Sequence, residues 1–167
     1  MLISSTECIR RLFAASFALG ALALGGCSGY SSPRFSVASA EVVERTETGV
    51  VVLLTIDATN ENDVPLPLRE IEYEMDVGGR RVFSGVRSPE ATLRSNGVQQ
   101  FTIPAAIAIE PGRGLPTGVG EFRLSGSVTY LTPGALAETL FDAGVRQPEA
   151  SFSDTGTVDW DGGQTEK

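Results

Sequence analysis

The sequence predicts an all-β protein, an antiparallel β-sandwich of about seven strands of the immunoglobulin or fibronectin-III kind. Three observations predict it. Apolar residues alternate with polar ones along several stretches, the period-two signature of half-buried strands. Glycine (19) and proline (9) recur between those stretches, as tight turns require. No run of helical period is long enough for a helical bundle.

Composition bounds the rest. A chain of 167 residues, 41% hydrophobic and 20% charged, suits one globular domain with a sizeable core. The formal net charge of −8 repels phosphate backbones, so nucleic acid is not an expected partner. Histidine is absent and the two cysteines are Cys8 and Cys27. A histidine-based catalytic relay and a histidine-ligated zinc are therefore excluded.

Residues 1–26 read as an address. Arg10-Arg11 precede an apolar run of 13 residues, Leu12 to Leu24. That length suits a signal peptide and falls short of the roughly 20 residues that span a bilayer. The run ends in Leu24-Gly25-Gly26-Cys27, which resembles the bacterial lipobox. There, a peptidase cuts between Gly26 and Cys27 after the Cys27 thiol has been diacylglycerylated. The competing readings are an ordinary secretory signal with a chance cysteine, or an uncleaved anchor. Loss of Glu7, Arg10 and Arg11 with the signal takes 21 acidic and 13 basic residues to 20 and 11. Cys8 would leave too, so no thiol remains for a disulfide. Residues 27–36 read as a lipidated tether, 37–160 as the sandwich and 161–167 as a disordered tail. The implied partner is the membrane, through lipid on Cys27. The implied location is the cell envelope: the outer membrane in a Gram-negative cell, or the periplasmic face of the inner membrane.

Val37 to Arg45 is the first candidate strand. In the second, Val50, Val52, Leu54, Ile56 and Ala58 share one face, while Thr55, Asp57 and Thr59 share the other. Pro65 and Pro67 lack the N–H a central ladder needs, so the chain should leave one sheet at Asn60 and enter the other near Arg69. Ile71, Tyr73, Met75 and Val77 then oppose Glu70, Glu72, Glu74 and Asp76. Gly78-Gly79 supplies the positive φ of a hairpin turn, and Arg80 to Arg87 returns with Val82 and Val86 on one face. Leu93 to Gly97 reads as a turn. Next, Phe101, Ile103, Ala105, Ile107 and Ile109 share a face, with Pro104 outward at an edge or bulge. Glu110 to Gly120 is a loop. Glu121 to Leu131 points Phe122, Leu124, Val128 and Tyr130 inward. Thr132-Pro133 either opens a short helix through Leu140, stopped by Gly144, or begins a decorated loop. Phe152 to Trp160 closes the sheet.

Candidate sites are few. Asp57 and Asp63, or Asp159 and Asp161, are acidic pairs of the sort that serve as paired carboxylates or calcium ligands. The segment from Asp57 to Asp63 lacks the glycine and terminal glutamate of a calcium loop, and solvated turn acids are the plainer reading. No catalytic residue, metal site or cofactor is expected.

With the strands placed, the chain resembles the late-embryogenesis-abundant type 2 domain, also called the water-stress and hypersensitive-response domain. The landmarks are Asn60-Glu61-Asn62, Pro65-Leu66-Pro67-Leu68, the Ile71 to Glu74 strand, Gly78-Gly79, and Phe152 to Val158. Family members usually carry Asn-Pro-Asn where this chain has Asn60-Glu61-Asn62. The resemblance implies a folded sandwich in which Asn60, Asn62, Pro65, Pro67, Gly78 and Gly79 are structural. It also implies a non-enzymatic role in desiccation, osmotic or cold stress. The alternative is an envelope binding or assembly module that engages a protein or lipid client through a sheet edge or groove. The run Val50 to Leu54, apolar on both faces, motivates it together with Ala105 to Ile109.

Overall fold

The computed structural model describes residues 30–109, 112, 117–134 and 136–162. The chain divides into two units, Met1–Tyr30 and Ser31–Lys167, and all the secondary structure described belongs to the second. The expected signal peptide, Gly26 and Cys27 lie outside the described residues, as do most of the 110–116 loop and the tail from residue 163.

Eight strands and one short helix make up the fold: β1 (Arg34–Arg45), β2 (Gly49–Asn60), β3 (Leu66–Val77), β4 (Arg80–Arg87), β5 (Thr92–Leu93), β6 (Gly97–Ala108), β7 (Val119–Tyr130), α1 (Ala137–Asp142) and β8 (Glu149–Asp159). A three-stranded sheet runs β1-β2-β6, and a five-stranded sheet runs β4-β3-β7-β8 with β5 paired to the start of β3. All pairings are antiparallel. The chain crosses between sheets after Asn60, as expected.

Strand parity follows from the alternation. Val50, Val52, Leu54, Ile56 and Ala58 of β2 are buried, and so are Phe101, Ile103, Ala105 and Ile107 of β6. Against them pack Ile71, Tyr73, Met75 and Val77 of β3 with Phe122, Leu124, Val128 and Tyr130 of β7. Apolar area removed from water, at about 25 cal/mol per Å², holds the two layers together. One seam is closed by Phe35, whose ring lies 5.9 Å from Phe152 and 6.3 Å from Phe101. There the Val37 N–H of β1 donates to the Asp154 carboxylate of β8 at 2.8 Å. Trp160 is fully buried just beyond β8. Its backbone N–H donates to Gly118 O at 2.9 Å and its backbone carbonyl accepts from the Arg45 guanidinium.

Several boundaries differ from expectation. β1 opens at Arg34, three residues before Val37, because the presumed tether is docked: Pro33 is buried and Ser31 is hydrogen-bonded to Asn62. β3 opens at Leu66, not near Arg69. Pro67 is tolerated because it sits at the end of the β7 ladder, where its carbonyl accepts from Leu131 N–H at 2.9 Å. The expected turn at Leu93 begins with a strand, since Leu93 pairs with Leu66 and is fully buried. Val82 and Val86 do not share a face. A bulge sets Phe83 opposite Met75 and Arg81 opposite Asp76, leaving Val82 as the extra residue. Val82 packs on the core and Val86 is exposed. The helix is the six-residue α1, entered from Leu136 without a side-chain cap, so Thr132-Pro133 does not open it.

Candidate functional site

The corner between β2 and β3 is where the chain concentrates its buried polar groups. Asn60 is completely buried and Asn62 nearly so. The Asn60 amide nitrogen donates to the carbonyls of Val64 (2.9 Å) and Arg94 (3.0 Å). Its oxygen accepts from the Asn62 backbone N–H (3.0 Å) and from Asn62 Nδ2 (2.7 Å). Two donations and two acceptances exhaust what a primary amide can do. Asn62 carries the network outward: Nδ2 donates to Ser31 O at 2.9 Å, and Ser31 N–H donates to Asn62 Oδ1 at 2.8 Å. The Asn62 carbonyl accepts from Asn96 N–H at 2.8 Å. Two asparagines thus tie together the crossover, the β5–β6 turn and the incoming chain. Pro65 is exposed on the crossover and Pro67 lies in β3, so Asn60, Asn62, Pro65 and Pro67 share one corner.

Gly78 and Gly79 sit at the opposite end, turning β3 into β4 with φ of +59° and +77°. An open groove beside this hairpin is lined by Asp76, Arg80, Glu121 and Arg123.

The acidic candidates are not gathered into a site. Asp57, on the outer face of β2, accepts from Gln100 Nε2 at 2.9 Å, while Asp63 is exposed on the crossover. Asp159 accepts from Asp161 N–H (3.1 Å) and Asp161 from Gly118 N–H (2.5 Å), so this pair closes the last turn. Among the described residues no cluster of three or more His, Cys, Asp or Glu could hold a metal ion.

Sequence reasoning missed the role of Tyr73. Its hydroxyl donates to the Pro104 carbonyl at 2.5 Å and so bridges the two sheets, with Phe83 tilted against its ring at 5.2 Å. A polar tip on an inward-facing strand aromatic was the available signal. Burial pushes the Tyr73 phenol above its ordinary value of 10.0, a rise that nearby Arg87 partly offsets. The folded state therefore holds this proton more tightly than the unfolded state. The resulting stability is present below pH 10 and is lost as pH rises past it. Denaturant midpoints measured across that range should fall with pH, and fall less steeply in Tyr73→Phe. An equal fall in both would contradict this assignment.

The profile of the family described as late embryogenesis abundant protein matches residues 55–139, just over half of the chain. Among solved structures, the solution structure of a protein from Arabidopsis thaliana aligns with a TM-score of 0.60 at 14% identity, covering 86% of this chain and 91% of that one. A late embryogenesis abundant (LEA) protein solved in solution aligns with a TM-score of 0.56 at 16% identity, covering 92% and 83%. At these identities the likeness is one of fold. No curated protein matches the chain.

Proposed function

This chain belongs to the late embryogenesis abundant family matched over residues 55–139, and from that premise we propose that it is a non-catalytic, membrane-anchored envelope protein that protects proteins or membranes during desiccation, osmotic or cold stress. The observation that carries the reading is where the buried polarity goes. Asn60 and Asn62 spend their amides on the protein's own corner, which supports a scaffold and leaves them no reactive role. The anchor rests on Leu24-Gly25-Gly26-Cys27, with lipid on Cys27 attaching the domain without a protein span. A deletion strain should lose viability on drying and freezing. The wild-type gene should restore it and a Cys27→Ala gene should not. Survival of the deletion strain equal to its parent would end the protective reading.

A second reading is favoured by one observation. The outer face of the three-stranded sheet carries Val51 and Leu53 opposite Ala106 and Pro104, next to a shallow groove of about 280 Å³ edged by Glu44 and Thr46. That strip suits a protein partner or lipid chain. Protein purified from its native membrane with neither a bound lipid by mass spectrometry nor a co-purifying partner would count against it.

A further inference from the structure

The incoming chain and the β7–β8 connector meet the domain at the same end. Ser31 is clamped by Asn62, the Ser32 hydroxyl accepts from Tyr130 OH at 3.2 Å, and Tyr130 is the last residue of β7. Beyond it, α1 buries none of its residues, and Leu136 and Val145 on either side of it are 69% and 71% exposed. Their exposure is built in. Gly144 adopts φ +67° and donates to Phe141 O (2.9 Å), while Val145 N–H donates to Leu140 O (2.9 Å). This paired pattern ends helices and fixes the residue that follows, often packing it against the last turn. Here it holds Val145 out in solvent.

Val98, opposite Thr59 at the corner end of β6, is also exposed at this end, while among the described residues Val119 is exposed at the far end and Val86 on the side, opposite Glu72. The side of the domain is largely charged: the outer face of β3 presents Glu70, Glu72, Glu74 and Asp76, with Arg81 paired to Glu74 at 2.6 Å and Arg123 opposite Asp76. Only Ser28, Gly29 and Tyr30 separate Cys27 from the clamped Ser31, a reach of at most about 14 Å when extended.

We infer that the α1 connector is a second membrane contact: Leu136 and Val145 enter the interfacial layer of the bilayer and stand the sandwich on its corner end. This rests on the Cys27 anchor, which brings that end to the surface. The charged outer face of the five-stranded sheet, where Arg81 pairs with Glu74 and Arg123 stands opposite Asp76, stays in water. The domain thereby acquires a fixed orientation, with the Gly78-Gly79 hairpin and Trp160 at the end remote from the lipid.

The test makes the anchor artificial, so that its success does not depend on native acylation. The chain from Cys27 onward is coupled through that thiol to a maleimide lipid in phosphatidylcholine vesicles brominated near the headgroup end of the acyl chains. Trp160 reports on the far end, and Leu136→Trp adds a reporter at the connector. The bromolipid should quench most of the emission gained in Leu136→Trp and leave Trp160 of the unsubstituted chain unaffected. Val145→Trp should behave as Leu136→Trp does, and both positions are exposed enough to accept the ring without disturbing the fold. Gained emission as insensitive to bromolipid as Trp160, in both variants, would overturn the inference. A free Cys27 thiol in native protein would instead remove the anchor reading, whatever the quenching shows.

Discussion

Asn60→Ala is expected to destabilise the protein by about 4 kcal/mol, a large part of the 5–15 kcal/mol that ordinarily holds a domain folded. The substitution strips partners from the part-buried Val64 and Arg94 carbonyls and from two buried Asn62 donors. Each buried polar group left unsatisfied costs about 1–3 kcal/mol. Asn60→Asp separates hydrogen bonding from size. The carboxylate has nearly the same shape but cannot donate, so it sets an oxygen against two carbonyl oxygens. Denaturant unfolding should show both variants strongly destabilised, with Asp no better than Ala. An aspartate variant close to wild type would mean that the corner is held by packing and not by the amide.

The second large effect is expected at Gly126. It lies in β7 opposite Tyr73 on one side and Phe152 on the other, and Gly85 lies opposite Tyr73 from β4. Glycine and aromatic residues therefore alternate across the sheet. A Cβ on Gly126 would stand 2.2 Å from the Glu72 carbonyl oxygen, 3.0 Å from Tyr73 Cα and 3.1 Å from the Phe152 ring. The nearest obstacle is backbone, which cannot rotate aside, so β3 and β7 must part. Overpacking of ordinary cores costs about 1–3 kcal/mol, and Gly126→Ala should reach or exceed the upper end of that range. Thermal melts of Gly126→Ala and of an exposed control, Ser151→Ala, check this. Equal melting temperatures would show that the strands separate freely there.

The two predictions mark what could be read from the sequence and what could not. Strand parity was legible in β2, β3, β6 and β7 because one face is dry and the other wet, and alternation records that directly. Parity failed at β4, where a one-residue bulge between Arg81 and Phe83 leaves no compositional trace. It also overlooked Gly126, which occupies an inward position without an apolar side chain. A glycine at such a position signals close backbone approach. Asn60 and Asn62 were identifiable as landmarks by resemblance. Their partners were not, because Ser31, Val64 and Arg94 contribute main-chain groups that any residue type offers. β5 is too short to carry a period, and the docking of Ser31 to Pro33 is decided by Asn62 from 31 residues away.

The most direct measurement is the intact mass of the protein purified from its native membrane. The account predicts a chain that begins at Cys27 and carries diacylglycerol. A chain that still begins at Met1 with an unmodified Cys27 would contradict it, leaving a late embryogenesis abundant sandwich with no address.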